Sequence, residues 1–553
     1  MLVRFPSCDA AVEVPAGATL LEAARNAGVP IETPCNGSGK CGKCRVRVAE
    51  ASLRSLLIFP TDAPNEAQNK DSVLACQAIV WGNVEVESLR DEAGSLKILS
   101  TGKGVSCNLD PCIRKIYEET RDSTSVYADD VLLATEHGDT SRQCYGAAVD
   151  LGTTTVVASL VDLTTGKELG TTSFLNPQTR YGHDVLSRIR FASKPKGLDA
   201  LQSCIIREVT QTLSSLARAS GVAVNHLYEL ILSGNTCMLH LATGTNPCSL
   251  GRYPYTPALQ GGASLPAADV GFTLPGPGRV YLPPVISGFV GGDITAGILA
   301  TQLHRQPGII LFVDVGTNGE MVLSVDGRLS ATSTAAGPAF EGMTITCGMR
   351  AAGGAIEAVS ILENGRVQLQ TIGNEPPVGI CGSGLLDAVA AFVTHGVVER
   401  SGRFANPNGH HPSGLQERIG SNEGKLVFRL AEKVYLTQKD IRQVQLAQGA
   451  VRAGIDILLG RSGLKYADVD RVLIAGAFGF HLRAKSLTAI GMLPGEMEDK
   501  IEFVGNTSKT GAQAFLLDRT TRDEMLRLVG DIQVVELANA PEFEKTFIKT
   551  LSF

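Results

Sequence analysis

The 553-residue chain has no apolar run of eighteen residues, no G-x-x-x-x-G-K-[ST] sequence, no convincing dinucleotide fingerprint and no excess of basic charge. The first absence leaves no segment to span a bilayer as a helix. The second argues against a P-loop nucleotide site, and the third against a flavin and nicotinamide reductase. A formal net charge of -6 gives no basic field for nucleic acid, and no amphipathic basic helix offers itself to a membrane surface. The N-terminus enters a strand-like pattern at once, so no signal peptide is expected and the expected location is cytoplasmic. Thirteen cysteines, an odd number spread over a long chain, do not make a disulfide framework. At this length the chain should hold three or four domains.

What is present begins at Cys35-Asn36-Gly37-Ser38-Gly39-Lys40-Cys41-Gly42-Lys43-Cys44, with Cys76 as a fourth candidate ligand about thirty residues on. Thiolates at C-x5-C-x2-C with a distant fourth are close to the C-x4-C-x2-C…C spacing that holds a [2Fe-2S] cluster. The interleaved glycines let such a loop take positive φ and aim backbone N–H groups at the sulfides. A four-cysteine zinc site is the alternative, but zinc sites usually come as two short knuckles and Cys76 has no C-x2-C mate. Val12, Val14 and residues 18–27 read as strand, turn and short helix, and Arg45–Val48 alternates as a strand after the loop. Residues 1–92 thus resemble the small β-grasp fold of plant-type and adrenodoxin-like ferredoxins. The extra residue between the first two cysteines points to the adrenodoxin-like branch.

Residues 93–143 are polar and rich in breakers, and read as a linker with one short helix near 113–120. Cys107 and Cys112 lie there, two thiols that cannot complete a cluster by themselves. His410 and His411 sit in a Gly, Pro and Asn-rich loop without metal-ligand spacing and read as solvated surface.

From Tyr145 an apolar strand runs into Asp150-Leu151-Gly152-Thr153-Thr154-Thr155 and a second apolar strand leaves the turn. The pattern returns at Asp314-Val315-Gly316-Thr317-Asn318-Gly319-Glu320, which marks an internal repeat of two similar halves, 144–308 and 309–553. The chemistry of such a turn is phosphate binding: glycine admits the ligand, N–H groups and Thr hydroxyls donate to phosphate oxygens, and the Asp can hold Mg2+ through its waters. One such turn is no more than a hairpin. Two copies, each behind a buried strand, favour a nucleotide.

A third strand, Arg471–Ala475, runs into Gly476-Ala477-Phe478-Gly479, in the right order to hold an adenosine. Ser233-Gly234-Asn235-Thr236 ends a strand near the same place. Asp293 opens a helix, where it either caps the helix or holds the attacking water or metal. Gly382 begins another helix. Thr437 caps a long one with Ile441, Val444, Ala447, Val451, Ile455 and Leu458 on one apolar face.

Together the three strand-turn motifs resemble the phosphate 1, phosphate 2 and adenosine motifs of the ATPases that include actin, the heat-shock chaperones and the sugar kinases. The expected class is multidomain α+β and α/β: a β-grasp [2Fe-2S] ferredoxin followed by a duplicated actin-like, ribonuclease H-like ATPase. This pairing is similar to the reductive activators of corrinoid-dependent enzymes over nearly the whole chain. Besides the cysteine loop, Gly234-Asn235-Thr236-Cys237-Met238, Gly288-Phe289-Val290-Gly291-Gly292-Asp293 and Asp440-Ile441-Arg442 carry the likeness.

The resemblance implies that ATP and a ferredoxin-like cluster return an inactive Co(II) corrinoid protein to Co(I). It also implies an external low-potential electron donor, and it admits a homodimer. Cys35, Cys41, Cys44 and Cys76 would be the cluster ligands, and Asp150 and Asp314 would position Mg2+. Thr153, Thr154, Thr317 and Asn318 would contact phosphates, and residues 476–479 would line the adenosine.

Two departures stand out. The stretch before the ATPase is shorter than the separate middle domain of the best-known activators, and no cysteine follows Cys381. The residues leave two alternatives: an ATPase driving electrons into a 2-hydroxyacyl-CoA dehydratase, for which no spare cysteine pair for a bridging [4Fe-4S] cluster is seen, and a redox-sensing actin-like module.

Overall fold

The computed structural model describes all residues except 7–9, 28, 30, 32–43, 59–71, 90–107, 275, 407–412, 423 and 477–481. The chain divides into two compact units, Met1–Ser95 with Pro177–Lys194, and Leu96–Asn176 with Pro195–Phe553. Among the described residues no helix is long and apolar enough to cross a membrane.

In the first unit, strand alternation buries Val3 and Phe5 of Leu2–Phe5 and Val46 and Val48 of Arg45–Val48 on one core. The sheet order is Ala10–Glu13, Leu2–Phe5, Val84–Leu89, Arg45–Val48, Ser72–Leu74. The helix Leu20–Asn26 covers it. The Thr19 hydroxyl accepts from Glu22 N, and the Glu22 carboxylate accepts from Thr19 N, a reciprocal cap worth about 1 kcal/mol. This is the expected β-grasp arrangement. Residues 177–194, expected inside the first ATPase half, pack with this unit instead, where Tyr181 interacts with Arg25.

The expected linker is a correction. Over its described part it is a three-stranded antiparallel sheet, Ile113–Glu118, Ser123–Ala128 and Val131–His137, and the only helical piece there is the single turn Glu119–Arg121. Its composition is polar, but its period is two, with Thr124, Val126 and Ala128 turned inward, and period decides over composition. The buried Lys115 ammonium fastens this sheet by donating to Glu136 (2.6 Å), the Tyr228 hydroxyl (3.0 Å) and the Gln143 carbonyl (3.1 Å). Cys112 is buried with its thiol on Asp129 (3.2 Å), and burial pushes it up to about 12, as befits a structural thiol. Cys107, His410 and His411 lie outside the described residues.

Two six-stranded sheets follow. β1 (Tyr145–Leu151), β2 (Thr155–Asp162), β3 (Glu168–Leu175), β4 (Leu227–Gly234), β5 (Ala263–Pro266) and β6 (Arg279–Leu282) form the first, in the order 3-2-1-4-6-5. β7 (Ile309–Val315), β8 (Gly319–Val325), β9 (Arg328–Thr334), β10 (Arg471–Ala475), β11 (Ile501–Gly505) and β12 (Gln533–Val534) form the second, in the order 11-10-7-8-9-12. Strands 3-2-1-4-6 match 9-8-7-10-11 in order and direction: β1 is antiparallel to β2 and parallel to β4, as β7 is to β8 and β10. The repeat seen in the sequence is thus a repeat of topology.

Helices α1 (Thr236–Ala242), α2 (Gly292–Thr301), α3 (Gly382–Thr394), α4 (Gln438–Arg461) and α5 (Thr507–Leu517) position the site. α4 buries all six apolar residues expected of it and is capped by Thr437, whose hydroxyl accepts from Asp440 N. α2 carries the chain from the first sheet to the second, and α5 leaves the second sheet to pack on α2, β1 and β4. They cross with backbones touching: a Cβ on Gly511 would lie 2.0 Å from the Ala296 carbonyl oxygen. At the far end of α5, Asp110 N donates to the Leu517 carbonyl (2.8 Å) and Arg519 N to the Asp110 carbonyl (3.0 Å). Just beyond, Arg522 holds the fully buried Glu229 of β4 by two bonds of 2.9 Å and lies over the Tyr281 ring.

Candidate functional site

β1 and β7 end alike. Apolar residues fill each strand, and the penultimate position is an aspartate, Asp150 or Asp314, followed by a buried Leu151 or Val315. Asp150 stands opposite Ser233 of β4, and Asp314 opposite Glu320 of β8. Asp293 is the second residue of α2. The capping position belongs to Gly291, so the reading of Asp293 as the cap is corrected; its carboxylate accepts from the adjacent Ile294 N–H (2.9 Å) and from its own backbone N–H.

These carboxylates act on one another. Burial, then the Asp314 and Asp150 charges, push Asp293 up to about 8, and burial, then Asp150, push Asp314 up to about 7. Glu320 is raised well above its ordinary value by burial and by Asp293 and Asp314, against hydrogen bonds from Asn318 and Ser333. Asp150 is raised by burial even though Ser508 Oγ (2.7 Å) and Asn506 Nδ2 (2.8 Å) donate to it and the buried Lys509 lies near. The charges of these acids raise one another, a repulsion that a nearby cation relieves, although among the described residues no three acids are placed to hold one metal ion between them.

The two turns meet. Gly152 closes the first, where a Cβ would fall 2.3 Å from the Thr155 carbonyl oxygen, and the Gly316 N–H closes the second on the Asn318 carbonyl (2.9 Å). Thr154 Oγ1 and Thr317 Oγ1 come within 3.5 Å, and both hydroxyls donate to Glu341, Thr317 at 2.6 Å to Oε1 and Thr154 to Oε2. Thr153 is buried in the first turn. Thr155 and Gly319 are already the first residues of β2 and β8. Asn318 is engaged with Glu320.

Asn235 caps α1, its Oδ1 accepting from Cys237 N (3.0 Å), and shapes the end of β4. Gly476, at φ 122, lets the chain pass so close to β7 that a Cβ would lie 2.4 Å from the Val315 carbonyl oxygen. Ala477, Phe478 and Gly479 lie outside the described residues.

Sequence reasoning missed Asn506, Ser508, Lys509 and Glu341. The first three had a signal. Gly505-Asn506-Thr507 repeats the Gly234-Asn235-Thr236 grammar of strand, glycine, Asn cap and helix, and Asn506 does cap α5, accepting from Lys509 N. Lys509 is buried against Glu168 (2.7 Å). Glu341 sits in the turn Pro338–Glu341, with nothing in its neighbours to distinguish it.

In the first unit, Cys44 and Cys76 are buried with their sulfurs 3.2 Å apart. That is far beyond the ~2.05 Å of a disulfide and close enough for two thiolates to share one metal atom. The pair fits half of a [2Fe-2S] ligand set. Cys35 and Cys41 lie outside the described residues.

Comparisons with known proteins bear on both sites. Residues 7–80 match the model described as a 2Fe-2S iron-sulfur cluster binding domain, 145–306 the RACo middle region, and 308–553 the C-terminal domain of RACo, the ASKHA domain. A middle region is therefore present and coincides with the first lobe, where the sequence had suggested only a shortened stretch. A solved reductive activator for corrinoid, iron-sulfur protein is 32% identical, with TM-score 0.74 and coverage of 100% of this chain and 98% of that one. The corrinoid activation enzyme RamQ of Eubacterium limosum is 29% identical over 100% of this chain and 99% of its own length. The [Co(II) methylated amine-specific corrinoid protein] reductase of Methanosarcina barkeri is 26% identical over 74% of this chain and 77% of its own length.

Proposed function

The chain belongs to the reductive activators of corrinoid proteins, and from that premise we infer that it uses ATP to return a Co(II) corrinoid protein to Co(I). The observation that carries the nucleotide half is the meeting of Thr154 and Thr317, one from each lobe, beside Asp150 and Asp314. Asp150 and Asp314 would position Mg2+, which when bound would neutralise phosphate charge. The hydroxyls of Thr153, Thr154 and Thr317 would donate to phosphate oxygens, and residues 476–479 would line the adenosine. Ser508 and Asn506 orient Asp150, and Asp293 would hold the attacking water.

In the N-terminal unit, Cys44 and Cys76 with Cys35 and Cys41 would hold the [2Fe-2S] cluster, which when bound supplies one-electron transfer. Such clusters sit near roughly -400 mV, and each further 100 mV uphill costs about 2.3 kcal/mol per electron. ATP binding and turnover can supply that. An external low-potential donor recharges the cluster, the corrinoid protein belongs to a methyltransferase or demethylase system, and the protein works in the cytoplasm.

The test mixes the reduced protein, Mg2+-ATP and a Co(II) corrinoid protein and follows the Co(I) absorption band. The band should form only with ATP, and Asp150→Ala should abolish it. Full activation by Asp150→Ala at ordinary ATP dependence would sink the role given to the two turns.

A further inference from the structure

Glu341 occupies an unexpected place. A hydroxyl has one proton to donate, and the protons of Thr154 and Thr317 both go to the Glu341 carboxylate, one to each oxygen. While that contact lasts, neither hydroxyl can donate to a phosphate, and a third anion stands between the turns. Two anionic oxygens on one planar carbon, bound by one hydroxyl from each lobe, are the internal counterpart of a terminal phosphoryl group. A bound ADP reaches such a point with no group to dispute it, whereas the last phosphoryl of ATP must displace the carboxylate.

The surrounding turn allows that displacement. Pro338–Glu341 is flanked by Gly337 and Gly342, both at positive φ, and a Cβ on Gly337 would meet open space. Ala339 and Phe340 are buried and fix the turn in the core, so the movement falls on the Glu341 side chain. No pairing of Glu341 with a cation is needed for this argument; the competition is for two protons.

We propose that Glu341 sets nucleotide discrimination: its carboxylate takes the two hydroxyl donors of the terminal phosphoryl whenever that group is absent, and so weakens binding of ATP relative to ADP. The proposal rests on the reading of the two turns as the phosphate site. It makes the triphosphate-bound state one in which Thr154 and Thr317 have exchanged an internal anion for an external one.

The test measures binding of ADP and of the non-hydrolysable analogue AMPPNP, in Mg2+, to the full chain and to Glu341→Ala by calorimetry. The expected result is AMPPNP binding tightened about tenfold or more in Glu341→Ala, with ADP within about threefold of wild type. Glu341→Gln, which keeps the shape and one acceptor but no charge, should fall between them, and it carries the test if Glu341→Ala does not fold. Equal changes for both nucleotides, or weaker AMPPNP binding as expected of a metal or water ligand, would overturn the proposal while leaving the phosphate site intact. Wild-type protein that binds neither nucleotide would overturn the phosphate-site reading and the proposal with it.

Discussion

Adding one methyl group at Gly511 tests whether the α2–α5 crossing governs the nucleotide site. The Cβ of Gly511→Ala would lie 2.0 Å from the Ala296 carbonyl oxygen, 2.4 Å from its carbon and 2.6 Å from its Cα, all backbone atoms that cannot rotate away. Non-bonded heavy atoms settle at about 3.5–4.0 Å, so the helices must part by more than about 1 Å. Overpacking of this kind costs about 1–3 kcal/mol and occasionally more.

The same displacement pulls Asn506 and Ser508 from Asp150, whose bonds of 2.8 and 2.7 Å have little length to give. Stability should therefore fall, and nucleotide binding with it. Gly530→Ala, in the helix Thr520–Asp531 with nothing within 4 Å of its Cβ, is the control. It should be neutral or gain up to about 1 kcal/mol from helix propensity. Denaturation midpoints and calorimetric AMPPNP binding on both variants decide the matter. A Gly511→Ala protein as stable as Gly530→Ala, with unchanged nucleotide affinity, would refute the close crossing.

Arg522→Met strands the Glu229 carboxylate in the core and should cost about 3–5 kcal/mol by denaturant titration, with Arg522→Met/Glu229→Met recovering much of it. Asp314 and Asp293, raised to about 7 and about 8, bind more protons folded than unfolded from about pH 4 upward. Cation-free protein should accordingly lose thermal stability as pH rises from 5 to 8, with Mg2+ restoring more at pH 8 than at pH 5; a profile unchanged in Asp293→Asn would assign the loss elsewhere. Arg25 is a half-buried cation, with its Nε buried, that interacts with Cys44 and Cys76. Its replacement by Met should lower the cluster potential by several tens of millivolts, the scale of about 1–2 kcal/mol of charge interaction, as read by redox titration.

The duplicated lobes were legible because their signal is periodic and repeated: two buried strands each ending in Asp-x-Gly-Thr force the same hairpin twice. The six-residue apolar face of α4 and its Thr437 cap were legible for the same local reasons. What escaped depended on chain that is distant in sequence. Asn506 and Ser508 reach Asp150 across 356 and 358 positions, and Glu341 reaches Thr154 across 187. No window of local pattern contains those pairs. The sheet at 113–137 was misread for another reason: its strands bury modest residues such as Thr124 and Ala128 and pin themselves with a charged Lys115, so composition concealed the alternation.

The bond pair between Asp110 and the end of α5 gives that helix a mechanical meaning. Eleven residues make a rod about 16 Å long. One end of the rod carries the Asn506 cap on Asp150, and the other is hydrogen-bonded to Asp110, just before the sheet of residues 113–137. A tilt of about 10° about the capped end would swing Asp110 through about 3 Å, at the rise per residue of an α-helix. The segment that begins at Asp110 is thus geared to Asp150, the aspartate proposed for the nucleotide site.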